Sequence, residues 1–140
     1  MVHEIGGEPT LLMHGDSLCT RDEQYMQVRA MLRNPAVQAD LLSKSLEERA
    51  AIATGARADS KAHTRETAMD IMDVTPEEVV RVMQEHTVRR LIHGHTHRPA
   101  SHELDLAGQH ARRIVLGDWD QLGWVLKIDD NSEALVSFPI

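Results

Sequence analysis

Cysteine is nearly absent from this chain. Cys19 is the single one in 140 residues, so no disulfide can form within it, and a reducing compartment suits it. No apolar run approaches the roughly 20 residues that a membrane-spanning helix needs. The first residues, Met1-Val2-His3-Glu4-Ile5-Gly6-Gly7-Glu8, have neither the basic flank nor the apolar stretch of a secretion signal. Any membrane contact is therefore expected to be peripheral. Positive charge is in deficit, with 15 Lys and Arg against 22 Asp and Glu for a net charge of −7. That balance argues against general affinity for nucleic acid or anionic lipid. Internal repeats and low-complexity linkers are missing too. With 41% hydrophobic and 26% charged residues, the composition is that of an ordinary globular chain, long enough for one core.

Histidine is the residue in excess: there are nine, and His93, His95 and His97 alternate within one short segment. The surrounding pattern is mixed. Thr10-Leu11-Leu12-Met13 reads as a buried strand feeding the loop His14-Gly15-Asp16. From Arg21 the spacing of Tyr25, Val28, Met31 and Leu32 is helical, and Asn34-Pro35 ends that segment. Helices are predicted over Pro35 to Leu42, Leu46 to Ala58 and Ala62 to Asp73, with Gly55 weakening the second of these. Thr75-Pro76-Glu77-Glu78 predicts an N-cap, a proline in the first turn and a capping box. Strands are expected at Val88–Ile92, Ser101–Leu106, Arg112–Leu116, Gly123–Ile128 and Ala134–Phe138. Turn residues separate them, among them Ala107-Gly108-Gln109, Gly117-Asp118 and Asp129-Asp130-Asn131-Ser132. A strand, a long helical block and then mostly strands make an α/β sandwich with a helical insertion.

Gly94-His95-Thr96-His97 stands where a buried strand runs out into a loop. On an extended backbone, residues two apart point the same way, so His95 and His97 are expected to face one site. Gly94 lets the main chain approach it closely. Neutral imidazole is a good ligand for Mn, Fe or Zn. His14 likewise ends an apolar strand, and ligands gather at the carboxyl ends of strands in α/β sheets.

A strand-end His-Gly followed later by Gly-His-x-His resembles the second half of the calcineurin-like metallophosphoesterase family. Three segments narrow the likeness: Met13-His14-Gly15-Asp16-Ser17-Leu18-Cys19-Thr20, Ile71-Met72-Asp73-Val74, and Leu91-Ile92-His93-Gly94-His95-Thr96-His97-Arg98-Pro99-Ala100. Together, from about Met13 to Pro139, they look like the branch that hydrolyses UDP-2,3-diacylglucosamine in lipid A synthesis. The resemblance implies that His14 and His95 bind one metal and His97 the other, with two Mn2+ ions in all. It gives His95 a second, catalytic role at a phosphate oxygen. The reaction it implies splits the pyrophosphate into UMP and 2,3-diacylglucosamine 1-phosphate. Two cations roughly 3.5–4 Å apart neutralise such a group and supply a hydroxide near neutral pH.

The same resemblance makes the helical block, about 21–73, a cap that takes the sugar and acyl chains. It places Asp22, Arg57, Ser60, Thr64, Thr67 and His95 against the glucosamine phosphate. Thr64 and Thr67 stand where relatives often carry Asn and Lys, so Arg65 or Lys61 is a candidate to supply the charge. Met26, Met31, Met69 and Met72 are candidates for an acyl pocket or for plain core. Trp119 and Trp124 are expected to pack structurally. Cys19 is a poor ligand for a hard, oxygen-rich site. His3, His63, His86, His102 and His110 are assigned surface or structural roles.

The resemblance also implies a location on the cytoplasmic face of the inner membrane, held peripherally, with no nucleic acid and no obligate protein partner. The family's remaining ligands, an Asp-x-His, a bridging Asp and an Asn followed by His or Arg, are not found among these residues. The fold class expected is thus α/β, an incomplete metallophosphoesterase sandwich corresponding to its C-terminal part. Three histidines alone are not expected to hold two cations. Two other readings remain open: a phosphoesterase of nucleotides, and a non-catalytic fragment.

Overall fold

The computed structural model describes residues 1–129 and 132–140. In chain order the elements are β1 (Val2–Ile5), β2 (Glu8–Met13), a 3-10 turn (Asp16–Leu18), α1 (Glu23–Leu32), α2 (Pro35–Ser43), α3 (Leu46–Glu66), α4 (Pro76–Glu85), β3 (Arg90–His93), β4 (Ala100–Leu106), β5 (Gln109–Val115), β6 (Leu122–Ile128) and β7 (Glu133–Pro139). They form two compact units, residues 1–18 with 74–140, and residues 19–73.

The first unit is mixed α/β. Its main sheet has the order β1-β2-β3-β5-β4, and β6 and β7 form a separate two-stranded sheet. β2, β3 and β5 run parallel, while β1 and β4 close the two edges antiparallel. Parallel strands lie buried on both faces, which is why Leu11, Leu91, Ile114 and Val115 are almost fully enclosed. α4 adds Val79, Val82 and Met83 to that core. Each such side chain contributes about 1.5–3 kcal/mol on leaving water. The parallel register sets Met13 opposite His93, so the chain leaves β2 and β3 side by side.

Several local expectations shift. The N-terminal residues form β1, a strand that their mostly polar run does not announce, joined to β2 through Gly6 and Gly7 at φ +57° and +69°. β3 begins at Arg90, because the Val88 amide is still held by the Met83 carbonyl after α4. The capping box at Thr75 does not form. The Thr75 side chain makes no cap bond, and Glu78 turns to Arg81, whose guanidinium donates to both of its oxygens at 2.9 and 2.7 Å. Those bonds hold the Glu78 carboxyl below its ordinary range. Trp119 packs edge-on to Phe138 at 5.4 Å and donates its indole N–H to the Trp124 carbonyl. Of the predicted turn at 129–132, Asp130 and Asn131 lie outside the described residues; Ser132 donates its amide to Asp129 Oδ1 at 2.8 Å.

The second unit is helical. α3 runs unbroken through the predicted gap at 59–61 and stops at Thr67, so residues 67–73 turn instead of continuing the helix. A side chain at Gly55 would meet nothing within 4 Å, so that glycine costs only its propensity, about 1 kcal/mol. The box that does form is Ser45 with Glu48, closing in both directions at 3.2 and 2.8 Å. α1, α2 and α3 contain no buried residue, and Val28, Met31, Leu32, Leu42, Leu46 and Ile52 stand exposed on them.

Candidate metal centre

His14 and His95 meet. They follow the carboxyl ends of β2 and β3, whose pairing continues one step past the strands as Gly94 N–H donates to the His14 carbonyl at 3.1 Å. The two rings lie 4.8 Å apart between centroids, tilted by 58°. A metal–nitrogen bond of about 2.1 Å puts a ring centre about 3.2 Å from the ion, so two rings at tetrahedral or octahedral angles lie about 4.5–5.2 Å apart. The observed pair falls inside that interval. His14 Nδ1 lies 3.1 Å from Asp16 Oδ1, a carboxylate that is itself buried. Such a partner selects the Nδ1–H tautomer and leaves Nε2 for a ligand.

His97 arrives by another route than the alternation predicts. The backbone there is not extended: His95 has φ +68° and His97 φ +53°, both left-handed. The alternation of facing directions belongs to a pleated strand, and β3 has ended at His93. His97 Nδ1 is 3.7 Å from Asp118 Oδ2, an ion-pair separation longer than a hydrogen bond. Among the described residues, no three His, Cys, Asp or Glu side chains converge as a metal-binding group. The donor set that fits a cation is thus the His14–His95 pair, two imidazoles suited to Mn, Fe or Zn. Cys19 is buried.

The other candidate residues fall in the helical unit. Asp22 is buried, caps α1 by accepting the Tyr25 amide at 2.9 Å, and offers its other oxygen to His63 Nε2 at 2.8 Å. The Thr67 hydroxyl sits 3.2 Å from His63 Nδ1. Of the surface or structural roles expected for it, His63 takes the structural one: it joins Asp22 to Thr67. No local signal could have shown this across the 41 residues between them. Arg57, Ser60 and Thr64 lie exposed along α3, and the Thr64 hydroxyl donates back to the Ser60 carbonyl at 2.9 Å. Ser60, His63, Thr64 and Thr67 recur at three- and four-residue spacing and so share one helix face. Met31 and Met69 are exposed, so neither is core.

No family model matches the chain. Curated relatives do. Over 139 residues, 99% of this chain, it is 59% identical to the UDP-2,3-diacylglucosamine hydrolase of Pseudomonas aeruginosa (strain UCBPP-PA14), and it covers 58% of that protein. It is 57% identical over 137 residues to the protein of that name from Pseudomonas fluorescens (strain Pf0-1), covering 55% of it. With the Stutzerimonas stutzeri (strain A1501) protein of that name the identity is 56% over 139 residues, with 58% covered. The chain thus spans little more than half the length of the relatives it matches.

Proposed function

We propose that this chain is the C-terminal part of a UDP-2,3-diacylglucosamine hydrolase with a calcineurin-like metallophosphoesterase fold. The observation that carries the reading is the 59% identity to the Pseudomonas aeruginosa relative over 139 residues, 99% of the chain. The parent activity is hydrolysis of the pyrophosphate bond to UMP and 2,3-diacylglucosamine 1-phosphate, a step of lipid A synthesis. In this reading His14 and His95 hold one Mn2+ and His97 the second. When bound, two such ions neutralise phosphoryl charge and lower the pKa of water.

The chain's own residues have distinct tasks. Asp16 fixes the His14 tautomer so that Nε2 keeps its lone pair for a metal. His95 presents its ring to the same place and, by the resemblance, stabilises a phosphate oxygen. Asp22, Arg57, Ser60, Thr64 and Thr67 bind the glucosamine phosphate, with His63 holding Asp22 and Thr67 in position. The exposed apolar side chains of α1–α3 support contact with acyl chains. The enzyme would work in the cytoplasm, peripherally on the inner membrane; no helix of the described residues is long and apolar enough to cross one. Since the described residues bring only two ligands together, we do not assign hydrolysis to this chain alone.

A chimera tests the reading. This chain replaces the matching part of the Pseudomonas aeruginosa relative, and UMP release from UDP-2,3-diacylglucosamine is followed with Mn2+ present. Hydrolysis is expected, and His14→Ala, His95→Ala and His97→Ala should each remove most of it. A folded chimera without activity, or near-normal turnover in His95→Ala, would overturn the assignment. Equal rates on acylated and deacylated UDP-glucosamine would point to a nucleotide phosphatase instead.

A further inference from the structure

His93 is the most enclosed histidine of the molecule, with 1% of its surface exposed, and nothing in the proposed chemistry uses it. Its ring is held at both nitrogens. Arg113 Nη1 lies 3.2 Å from Nε2, and the Gly94 carbonyl lies 2.9 Å from Nδ1. A guanidinium can only donate and a carbonyl can only accept, so Nε2 accepts and Nδ1–H donates. One form of the ring, the neutral Nδ1–H tautomer, satisfies both partners.

That ring touches both loops that carry the histidine pair. Its Nδ1 edge lies against Gly15, directly after His14. A Cβ on Gly15 would stand 2.7 Å from His93 Nδ1, and Gly15 has φ +104°, a backbone closed to other residues. The same nitrogen donates to the Gly94 carbonyl, which also accepts the Thr96 amide at 2.8 Å and would itself stand 3.2 Å from a Cβ on Gly15. The left-handed turn that aims His95 is built on that carbonyl. The base of the ring is secured in turn: the His93 carbonyl accepts the Leu116 amide at 2.8 Å, and Arg113 is buried in β5.

We propose that His93 is the positioning residue of the metal centre, the Nδ1 edge of its buried ring bridging the His14–Gly15 and Gly94–His95 loops so that both outer histidines address one cation. The inference rests on the metal-site reading above and adds a residue to it. Strand pairing alone would bring the two loops together. What His93 adds is their fixed angle, since its ring meets Gly15 by contact and Gly94 by a hydrogen bond. Arg113 acts one step further back, by fixing the tautomer that can make that bond.

The test is binding of Mn2+ to this chain, read by paramagnetic broadening of the assigned His14 and His95 ring signals, with thermal unfolding as the control for folding. In the parent chain both rings should broaden together at the same Mn2+ concentration. His93→Phe keeps an aromatic ring but neither hydrogen bond. It should weaken binding by about tenfold or more, as loss of an orienting partner does, and leave the two rings broadening separately. His93→Asn restores a donor toward Gly94 and should recover part of the loss. Joint broadening at the parent concentration in a folded His93→Phe chain overturns the proposal. If that variant does not fold, His93→Asn and Arg113→Met decide, and parent-like joint broadening in both overturns it. His14→Ala separates the two ideas: if His95 still broadens as in the parent, the metal-site reading fails, whatever His93 does.

Discussion

Arg90 opens the strand that ends at His93, and removing its charge should loosen the first unit as a whole. Its side chain is 4% exposed. Nε donates to the Thr10 hydroxyl at 2.8 Å, Nη1 to Glu133 at 3.0 Å, and Nη2 to the Ile5 carbonyl, with Glu8 Oε2 at 3.3 Å from Nη1. One guanidinium thus ties β1, β2 and β3 to the β6–β7 hairpin. Breaking a buried ion pair by deleting one partner costs about 3–5 kcal/mol. Here the low end applies, because Glu133 keeps Arg112 at 2.7 Å and Thr10 still donates to the Glu8 carbonyl at 3.0 Å. Arg90→Met fills most of the volume, so about 3 kcal/mol is the expected loss. With a urea slope of about 1.5 kcal/mol per M, the midpoint should fall by about 2 M. Glu133→Gln should cost less by itself, and the double variant less than the sum of the two. A midpoint within about 0.5 M of the parent for Arg90→Met would refute the reasoning. It would mean that the desolvation of this cation had cancelled its bonds.

Two further outcomes are expected. Asp22→Ala removes the α1 cap and leaves His63 without its carboxylate. It should speed hydrogen exchange at the Tyr25 amide by about fivefold or more, the equivalent of about 1 kcal/mol, whereas His63→Ala should leave that amide almost as protected as before. Lowering pH should weaken α4 through Glu78. Its carboxyl is held below the ordinary value of 4.5 by Arg81, so the pair's stabilisation is present above that pH and lost as pH falls through the folded value. Arg81 is exposed and Glu78 partly so, so Glu78→Gln should cost about 0.5 kcal/mol at most at pH 7, and the gap should close as pH falls through the folded value. A gap that stayed constant with pH would show that the ion pair is not its source.

The sequence by itself determined the strands β2 to β7 within a few residues, the break at Asn34-Pro35 and the start of α4 at Pro76. Each rests on local terms: apolar period, turn residues and a proline that cannot continue a helix. It also determined that His14 and the Gly-His-x-His segment leave the ends of buried strands, because an apolar run followed by His-Gly is visible without any partner. Tertiary structure decided the rest. β1 is short, half polar and mostly exposed, and it becomes a strand because Gly6 and Gly7 fold it back on β2. His97 departs from the alternation because left-handed backbone at His95 and His97 cancels the pleat, and that backbone is held by contacts to Gly94. His63, to which the sequence gives only a surface or structural role, is placed by a carboxylate 41 residues earlier. His93 sits two residues before His95 yet is enclosed, because β2 and β5 flank its strand on both sides. Periodicity acts over a few residues, whereas pairing across the sheet and across the helices follows only from the folded chain.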